Sequence, residues 1–339
     1  MATTVGTDAP RALPTTMNAI VQEGTGSADV LSFRQIALPD LPDDGILVRV
    51  RAASVNASDY HAVRGGWLVT VMGKILRAAK PYPIRGGDVA GTVEAVGKSI
   101  TTFRPGDDVF GVGRGTWAEY ATGSERGILP KPASLSFTEA AAVGVAAVTA
   151  LQALRDHGQV HSGQDVLVYG AGGGVGTSAV QIAKALGARV TAVTGPRNVE
   201  VVTALGADEV VDHTKEDVLA RRARYDAVID IAGTKPLGTL MRALAPTGKL
   251  VVVGAAKHGG WLGVFGRLIA ATVRSRVLKQ RVVFFVASIR RDDLAYLAEL
   301  IEAGKLRPAI ERTYPLAETR EAVRYALTGQ ARAKIVLVP

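Results

Sequence analysis

Residues 166–176 read Val166-Leu-Val-Tyr-Gly-Ala-Gly-Gly-Gly-Val-Gly176. An apolar run passes into a glycine-rich turn, and the turn opens a segment, 176–186, of helical character. A glycine motif alone is weak evidence. Here it follows a strand, begins a helix and lies inside a strand–helix–strand unit, the context in which such a turn holds a dinucleotide. Written strictly it is Ala171-x-Gly173-x-x-Gly176, an AxGxxG form of that fingerprint. Gly173 lets the backbone approach a pyrophosphate, and Gly176 lets the helix pack closely on its strand. The first amides of the helix offer donors and partial positive charge to the phosphates. Ala171, Gly172, Gly173, Gly174, Val175 and Gly176 are therefore the candidate cradle. No Lys-Ser/Thr pair follows the glycines, as a P-loop requires, and Gly-x-Ser-x-Gly is absent, which excludes a hydrolase elbow. No Tyr has Lys four positions later, so the chain is not a short-chain dehydrogenase.

Outward from this turn the strand–helix alternation continues. Strands are expected at 165–169, 189–193, 209–212, 227–231 and 249–253, with helices at 176–186 and 198–205 and helical segments between the last three strands. Such alternation implies right-handed crossovers and a doubly wound parallel sheet covered on both faces. Upstream, 18–135 reads as short strands separated by Gly, Pro and Asp turns, with runs at 46–53, 88–96 and 109–112, which suggests a compact β-rich domain. An Ala-rich helix is expected over 138–157. Downstream, a helix at 293–303 and a strand at 334–338 complete the chain, and this last piece is expected to rejoin the first domain. Residues 1–16 read as a loose tail. There are no internal repeats.

Composition narrows the function. The chain has 339 residues, 47% hydrophobic and 21% charged, enough for one large or two medium domains. It contains no cysteine, which excludes disulfides, thiolate zinc sites, iron–sulfur clusters and a cysteine nucleophile, and suits a cytoplasmic location. The mean hydropathy of +0.19 prompts a search for membrane segments. The first 16 residues lack the basic start and apolar run of a signal peptide. The most hydrophobic stretch, 261–289, is interrupted by Arg267, Arg274, Arg276, Lys279 and Arg281, and offers no charge-free run of the ~18 residues needed to span. An amphipathic helix at 262–273 is left to cover a pocket, a partner subunit or a membrane surface. The net charge of +9 comes from scattered basic residues without interleaved aromatics, so it suits an anionic cofactor and not nucleic acid.

Coenzyme choice follows from charge. An NAD site places Asp or Glu about 20 residues beyond the glycines to hold the ribose hydroxyls. Between Val166 and Val199 there is no acidic residue, and the second strand ends in Thr194-Gly-Pro-Arg-Asn198. A carboxylate there would repel a 2′-phosphate, whereas Arg197 and Thr194 can bind one. The expected coenzyme is NADPH (NADP).

With these residues in hand, the chain resembles the medium-chain dehydrogenase/reductase superfamily, and within it the zinc-free quinone oxidoreductase branch. The resemblance runs from Met17 to Pro339. Its carriers are Ser54-Val-Asn-Ala-Ser-Asp59, Gly86-Gly-Asp-Val-Ala-Gly-Thr-Val-Glu-Ala-Val-Gly97, Phe103-Arg-Pro-Gly-Asp-Asp-Val-Phe-Gly111, Trp117-Ala-Glu-Tyr120, the glycine turn, Thr194-Gly-Pro-Arg-Asn198 and Leu205-Gly-Ala-Asp208. It implies an α/β protein in which a GroES-like β-rich catalytic domain, 17–140 with 291–339, holds an inserted Rossmann domain, 141–290, with the active site between them. Zinc members carry Gly-His-Glu where this chain has Gly86-Gly87-Asp88, and they use a Cys ligand. The five histidines (61, 157, 161, 213 and 258) lie in no complete zinc motif, so no metal is expected.

Without a metal to lower a hydroxyl pKa, the easier chemistry is hydride transfer from NADPH to an electron-poor acceptor, a quinone or α,β-unsaturated carbonyl. An enoyl-thioester or 2-alkenal reductase, or a non-catalytic NADPH-binding sensor or scaffold, are the alternatives. By family similarity Asn56 would contact nicotinamide or substrate, or else stabilise a turn. Tyr60 would donate a proton or hydrogen-bond the substrate, or else be a surface tyrosine. Thr149 would reach the nicotinamide end, and Gly254 and Ala255 would line the crevice past a strand. Phe284 and Phe285 would pack on nicotinamide or in a dimer core. Lys334 would meet a cofactor phosphate or be solvated. Residues 67–83, with Trp67, Met72, Ile75 and Leu76, form a longer amphipathic loop than compact quinone reductases have. Family likeness also suggests a homodimer joined edge to edge near 282–286.

Overall fold

The computed structural model describes residues 13–65, 83–221, 224–253 and 280–339. Two kinds of strand in the sequence produce two kinds of sheet. The first part of the chain, with its closely spaced turns, forms a hairpin of β1 (Thr16–Gln22) and β2 (Leu31–Ala37). It continues through β3 (Ile46–Val55), α1 (Ala57–Arg64), β4 (Asp88–Val96), β5 (Asp108–Val112), β6 (Tyr120–Gly123) and β7 (Ile128–Pro130). Two short helices, α2 (Phe137–Ala140) and α3 (Gly144–Leu151), lead away from it.

The strand–helix alternation then runs β8 (Asp165–Tyr169), α4 (Gly174–Ala185), β9 (Arg189–Thr194), α5 (Val199–Ala204), β10 (Glu209–Asp212), β11 (Tyr225–Asp230), α6 (Leu237–Arg242), β12 (Leu244–Val252) and β13 (Arg281–Phe284). These strands form a six-stranded parallel sheet ordered β10-β9-β8-β11-β12-β13. The order reverses at β8, the first strand laid down, and the glycine turn sits at the carboxyl end of that strand. This is the switch point at which open parallel sheets bind ligands. Val166, Leu167 and Val168 of β8 are fully buried, as a strand covered on both faces requires. One face packs on α3, α4 and α7 through Ala147, Leu151, Ile182, Leu294 and Leu297, and the other packs on Leu240 of α6.

After β13 the chain forms α7 (Arg291–Glu302), β14 (Ile310–Pro315), α8 (Thr319–Leu327) and β15 (Lys334–Val338). The last strand does return to the first sheet: β15 pairs antiparallel with β3, setting Val336 opposite Ser54. The seven-stranded sheet is ordered β14-β15-β3-β4-β5-β7, with β6 also on β3. Its core gathers Met17, Ile46, Val89, Trp117 and Ile335.

Three expectations need correction. The long helix over 138–157 is broken into α2, α3 and a wider turn at Gln152–Gly158. The break has a cause: a carboxylate oxygen of Asp88 accepts the Val145 amide at 2.7 Å, which requires a helix to begin there with its amides open. A Cβ on Gly144 would lie 2.4 Å from that oxygen, so only glycine fits. The segment between β10 and β11 holds only a single tight turn, Val218–Ala220, among its described residues. Finally, β1 starts at Thr16, inside the expected tail, and buries Met17. Residues 1–12, most of the 67–83 loop, and the whole of 262–273 lie outside the described residues.

Candidate active site and coenzyme turn

The glycine turn has the geometry its sequence implies. Gly170 leaves β8 at φ +103, and both Gly170 and Ala171 donate their amides to the Val193 carbonyl, bending the chain over β9. A Cβ on Gly176 would meet the Gly170 oxygen at 2.3 Å and the Ala171 backbone at 2.6 Å, so α4 can approach β8 only with glycine there. Gly173 is the opposite case: a Cβ there meets nothing within 4 Å. The space in front of the helix start is open, and the amides of Gly174, Val175 and Gly176 have no preceding turn to bond. Packing explains Gly176. It does not explain Gly173.

At the end of β9, Thr194 is nearly buried, and with Asn198 it packs over Gly172, whose Cβ would lie 2.5 Å from the Thr194 hydroxyl and 2.3 Å from the Asn198 amide. Arg197 is exposed, its guanidinium 3.4 Å from the Gln330 carbonyl. The nearest acidic neighbour in the sheet, Asp212 on β10, pairs with Thr194 in register, but its Oδ1 accepts the Thr214 amide and hydroxyl at 3.0 and 2.8 Å. β9 itself carries no acid, and Asp212 stands as a hydrogen-bonded carboxylate beside its end.

The substrate-side residues converge on a carboxylate that sequence reasoning missed. Asp88 opens β4 and is completely buried. Its Oδ2 accepts from the Ser54 hydroxyl at 2.6 Å, the Asn56 Nδ2 at 2.9 Å and the Lys334 ammonium at 2.9 Å, while Oδ1 takes the Val145 amide. The Lys334 ammonium also donates to Asn56 Oδ1 at 2.6 Å. Lys334 is therefore not solvated: its ammonium lies in a buried ion pair with Asp88. The sequence held only a partial signal: a lone base begins the otherwise apolar β15, and a buried charge needs a partner.

Asn56 precedes α1, and its amide donates to the Asp59 carboxylate at 2.8 Å. Its side chain is held at both ends by Lys334 and Asp88, and it also hydrogen-bonds the Asp59 carboxylate. Asp59 is half-buried and its pKa is pushed up to about 7, because burial and the nearby Asp88 charge outweigh the Asn56 amide and Lys334. Tyr60 is half-buried against the β-rich core. Burial and the Asp59 charge hold its phenol above the ordinary range, so it keeps its proton at neutral pH. Thr149, half-buried on α3, donates its hydroxyl back to the Val145 carbonyl at 2.6 Å.

The two halves of the site are joined by the start of β15. The Ala333 amide donates to the Gly172 carbonyl at 2.8 Å, and Ala333 bridges Gly173 in a parallel ladder. Ala333 holds φ +62, a left-handed conformation that costs an alanine about 1–2 kcal/mol. Of the aromatic pair, Phe285 packs against His157, ring centroids 4.3 Å apart, on the helix side of the sheet. Phe284 sits on the edge strand β13, 37% exposed. Gly254 and Ala255 lie outside the described residues.

Comparison with known proteins agrees with this arrangement. An alcohol dehydrogenase GroES-like domain model matches residues 42–133 and a zinc-binding dehydrogenase model matches residues 205–337. The chain is 34% identical to the mitochondrial NAD(P)H oxidoreductase RTN4IP1 of Mus musculus, over 98% of this chain and 91% of that protein. The chain belongs to the medium-chain dehydrogenase/reductase superfamily, in its quinone oxidoreductase-like branch. It is 32% identical to the chloroplastic quinone-oxidoreductase QR1 of Triphysaria versicolor, over 95% of this chain and 98% of that protein. The quinone oxidoreductase of Coxiella burnetii superposes with a TM-score of 0.83 at 31% identity, covering 96% of this chain and 99% of that one. This family member is an oxidoreductase. No helix among its described residues is long and apolar enough to cross a membrane.

The family name of the second matching model raises the question of zinc. Among the described residues no three His, Asp or Glu side chains cluster as metal ligands, and the chain has no Cys. Asp88, where zinc members carry an acid, is surrounded by donors: an ammonium, an amide, a hydroxyl and a backbone N–H. That donor set does not fit a metal cation.

Proposed function

We propose that this oxidoreductase uses NADPH to reduce a quinone or an α,β-unsaturated carbonyl without zinc. The observation that carries the reading is the open approach at Gly173 beside a β9 terminus that presents Thr194 and Arg197 and no acid. When bound, the coenzyme supplies a hydride to the acceptor. The chain's own residues do the rest. The amides of Gly174, Val175 and Gly176 hold the pyrophosphate, and Arg197 with Thr194 holds the 2′-phosphate. Thr149 lies toward the nicotinamide end on α3. Asn56, fixed by Asp88 and Lys334, faces the nicotinamide or the acceptor carbonyl. Tyr60, whose phenol is protonated at neutral pH, returns the proton that balances the hydride, its charge then neutralised from solvent.

In this reading 17–140 with 291–339 form the substrate-side domain and 141–290 the coenzyme domain. Two copies pair through the edge strand β13, where Phe284 and Val286 are exposed. A cysteine-free chain suits the cytoplasm. The test is NADPH oxidation, with NADH in parallel, against naphthoquinones, enones and crotonyl thioesters. Turnover with the first two classes supports the proposal. Preference for the thioester would make it an enoyl-thioester reductase, and tight NADPH binding without oxidation by any acceptor would make it a sensor or scaffold.

A further inference from the structure

The Lys334 side chain is placed between the two halves of the site. Its ammonium lies buried on Asn56 Oδ1 and Asp88 Oδ2, at 2.6 and 2.9 Å. Its stem runs beneath the first residue of α4: a Cβ added to Gly174 would meet the Lys334 Cδ at 2.7 Å and Cγ at 3.3 Å. The preceding residue, Ala333, is hydrogen-bonded to Gly172 and paired with Gly173. One side chain and its neighbouring peptide thus touch both the turn that would receive the pyrophosphate and the carboxamide that would face the reacting ring. Asp88 extends the same unit to the start of α3 through the Val145 amide.

We propose that Lys334, paired with Asp88, is a positioning residue that couples occupation of the glycine turn to the orientation of Asn56. It touches neither coenzyme nor substrate. A phosphate settling on the amides of α4 bears on Gly174 and on the Ala333 bridge. Any displacement of either is passed along the Lys334 stem to an ammonium with two fixed acceptors, and so to Asn56. The buried ion pair makes this link stiff: moving the ammonium away from Asp88 would leave both charges unpaired in the interior. The stem also fixes why residue 174 is glycine, since a larger residue would collide with the lysine it rests on.

The inference rests on the proposed function, in which Asn56 faces the nicotinamide, and the test separates the two. Lys334→Met alone strips Asp88 of its countercharge and can fail to fold, so the deciding variant is Lys334→Met with Asp88→Asn, which removes both charges and keeps an apolar stem under Gly174. Three quantities are measured: the NADPH Kd by fluorescence titration, kcat and quinone KM by NADPH oxidation, and the emission wavelength of bound NADPH, which reports the nicotinamide's surroundings and needs no turnover. The expected result is an NADPH Kd and quinone KM within about threefold of wild type, kcat lowered about tenfold or more, and bound emission shifted toward that of free coenzyme. A Kd raised about tenfold with kcat and emission unchanged would make Lys334 a phosphate ligand and overturn the proposal, as would a variant equal to wild type in all three. Should the wild-type protein bind NADPH but reduce no acceptor, the functional reading fails, and the emission shift still decides the coupling.

Discussion

The two glycines of the Ala171-x-Gly173-x-x-Gly176 pattern offer a paired test, because a Cβ meets open space at one and backbone at the other. Gly173 has φ −93 and ψ 178, extended backbone that alanine adopts freely, and a Cβ there meets no atom within 4 Å. Gly173→Ala should therefore leave the fold intact, and reduced freedom of the unfolded chain should stabilise it by about 0.4–1 kcal/mol. Its methyl group would occupy the space in front of the α4 amides. Loss of one hydrogen bond to a charged phosphate costs about 1.5–3 kcal/mol, so the NADPH Kd should rise roughly 10- to 100-fold.

Gly176→Ala places a methyl 2.3 Å from the Gly170 oxygen and within 2.7 Å of the Ala171 backbone. These are backbone atoms of the turn itself, so α4 must lift from β8. Overpacking of this kind costs about 1–3 kcal/mol, and for a domain of roughly 150 residues each kcal/mol lowers Tm by about 2–4 °C. Thermal unfolding followed by scanning fluorimetry, with coenzyme titrations on the same preparations, gives both numbers. If Gly173→Ala bound NADPH like wild type, no phosphate approaches that residue. If it lost as much Tm as Gly176→Ala, the turn is a packing device and the dinucleotide reading fails.

Other consequences can be checked independently. Arg197→Ala should raise the NADPH Kd about tenfold at low salt, less at high salt, and leave NADH unchanged, since Arg197 is exposed with one weak carbonyl contact to lose; equal effects on both coenzymes would remove it from the 2′-phosphate site. Asp59 has a folded pKa near 7, above its unfolded value, so the native state binds the extra proton and stability should fall as pH rises from about 4 to about 7. Asp59→Asn should flatten that part of the Tm-versus-pH curve, and an unchanged slope would show that Asp59 is not the titrating group. Val286→Lys, placing a charge beside the exposed edge strand, should turn a dimer into monomer in light scattering while NADPH binding persists. A wild-type monomer would dismiss the edge-paired dimer.

Much of the fold was legible because local chemistry and global position agree along the parallel sheet. The strand at 165–169 is apolar after Asp165 because both its faces are covered, and glycine at 176 reports a backbone approach that a side chain would prevent. Helix limits were less legible where a tertiary contact sets them. The segment 138–157 has helical composition throughout, yet the helix restarts at Gly144 because a carboxylate 57 residues upstream needs the Val145 amide. The site divides in the same way. Asn56, Tyr60 and the glycine turn could be named from motifs. The destination of Lys334 could not, because an isolated lysine before a terminal strand suits a phosphate, water or an ion pair equally.

By itself, the order of residues determined the doubly wound sheet, the dinucleotide turn and the absence of an acid along β9, since each depends on spacing within a few dozen residues. Only the folded chain decided that Asp88, Asn56 and Lys334 form one buried unit beneath that turn. Lys334 stands 246 residues from Asp88, and no local pattern specifies a contact so remote. It exists because β15 returns to pair with β3 and carries its lysine into the interior, where the only tolerable place for an ammonium is against a carboxylate.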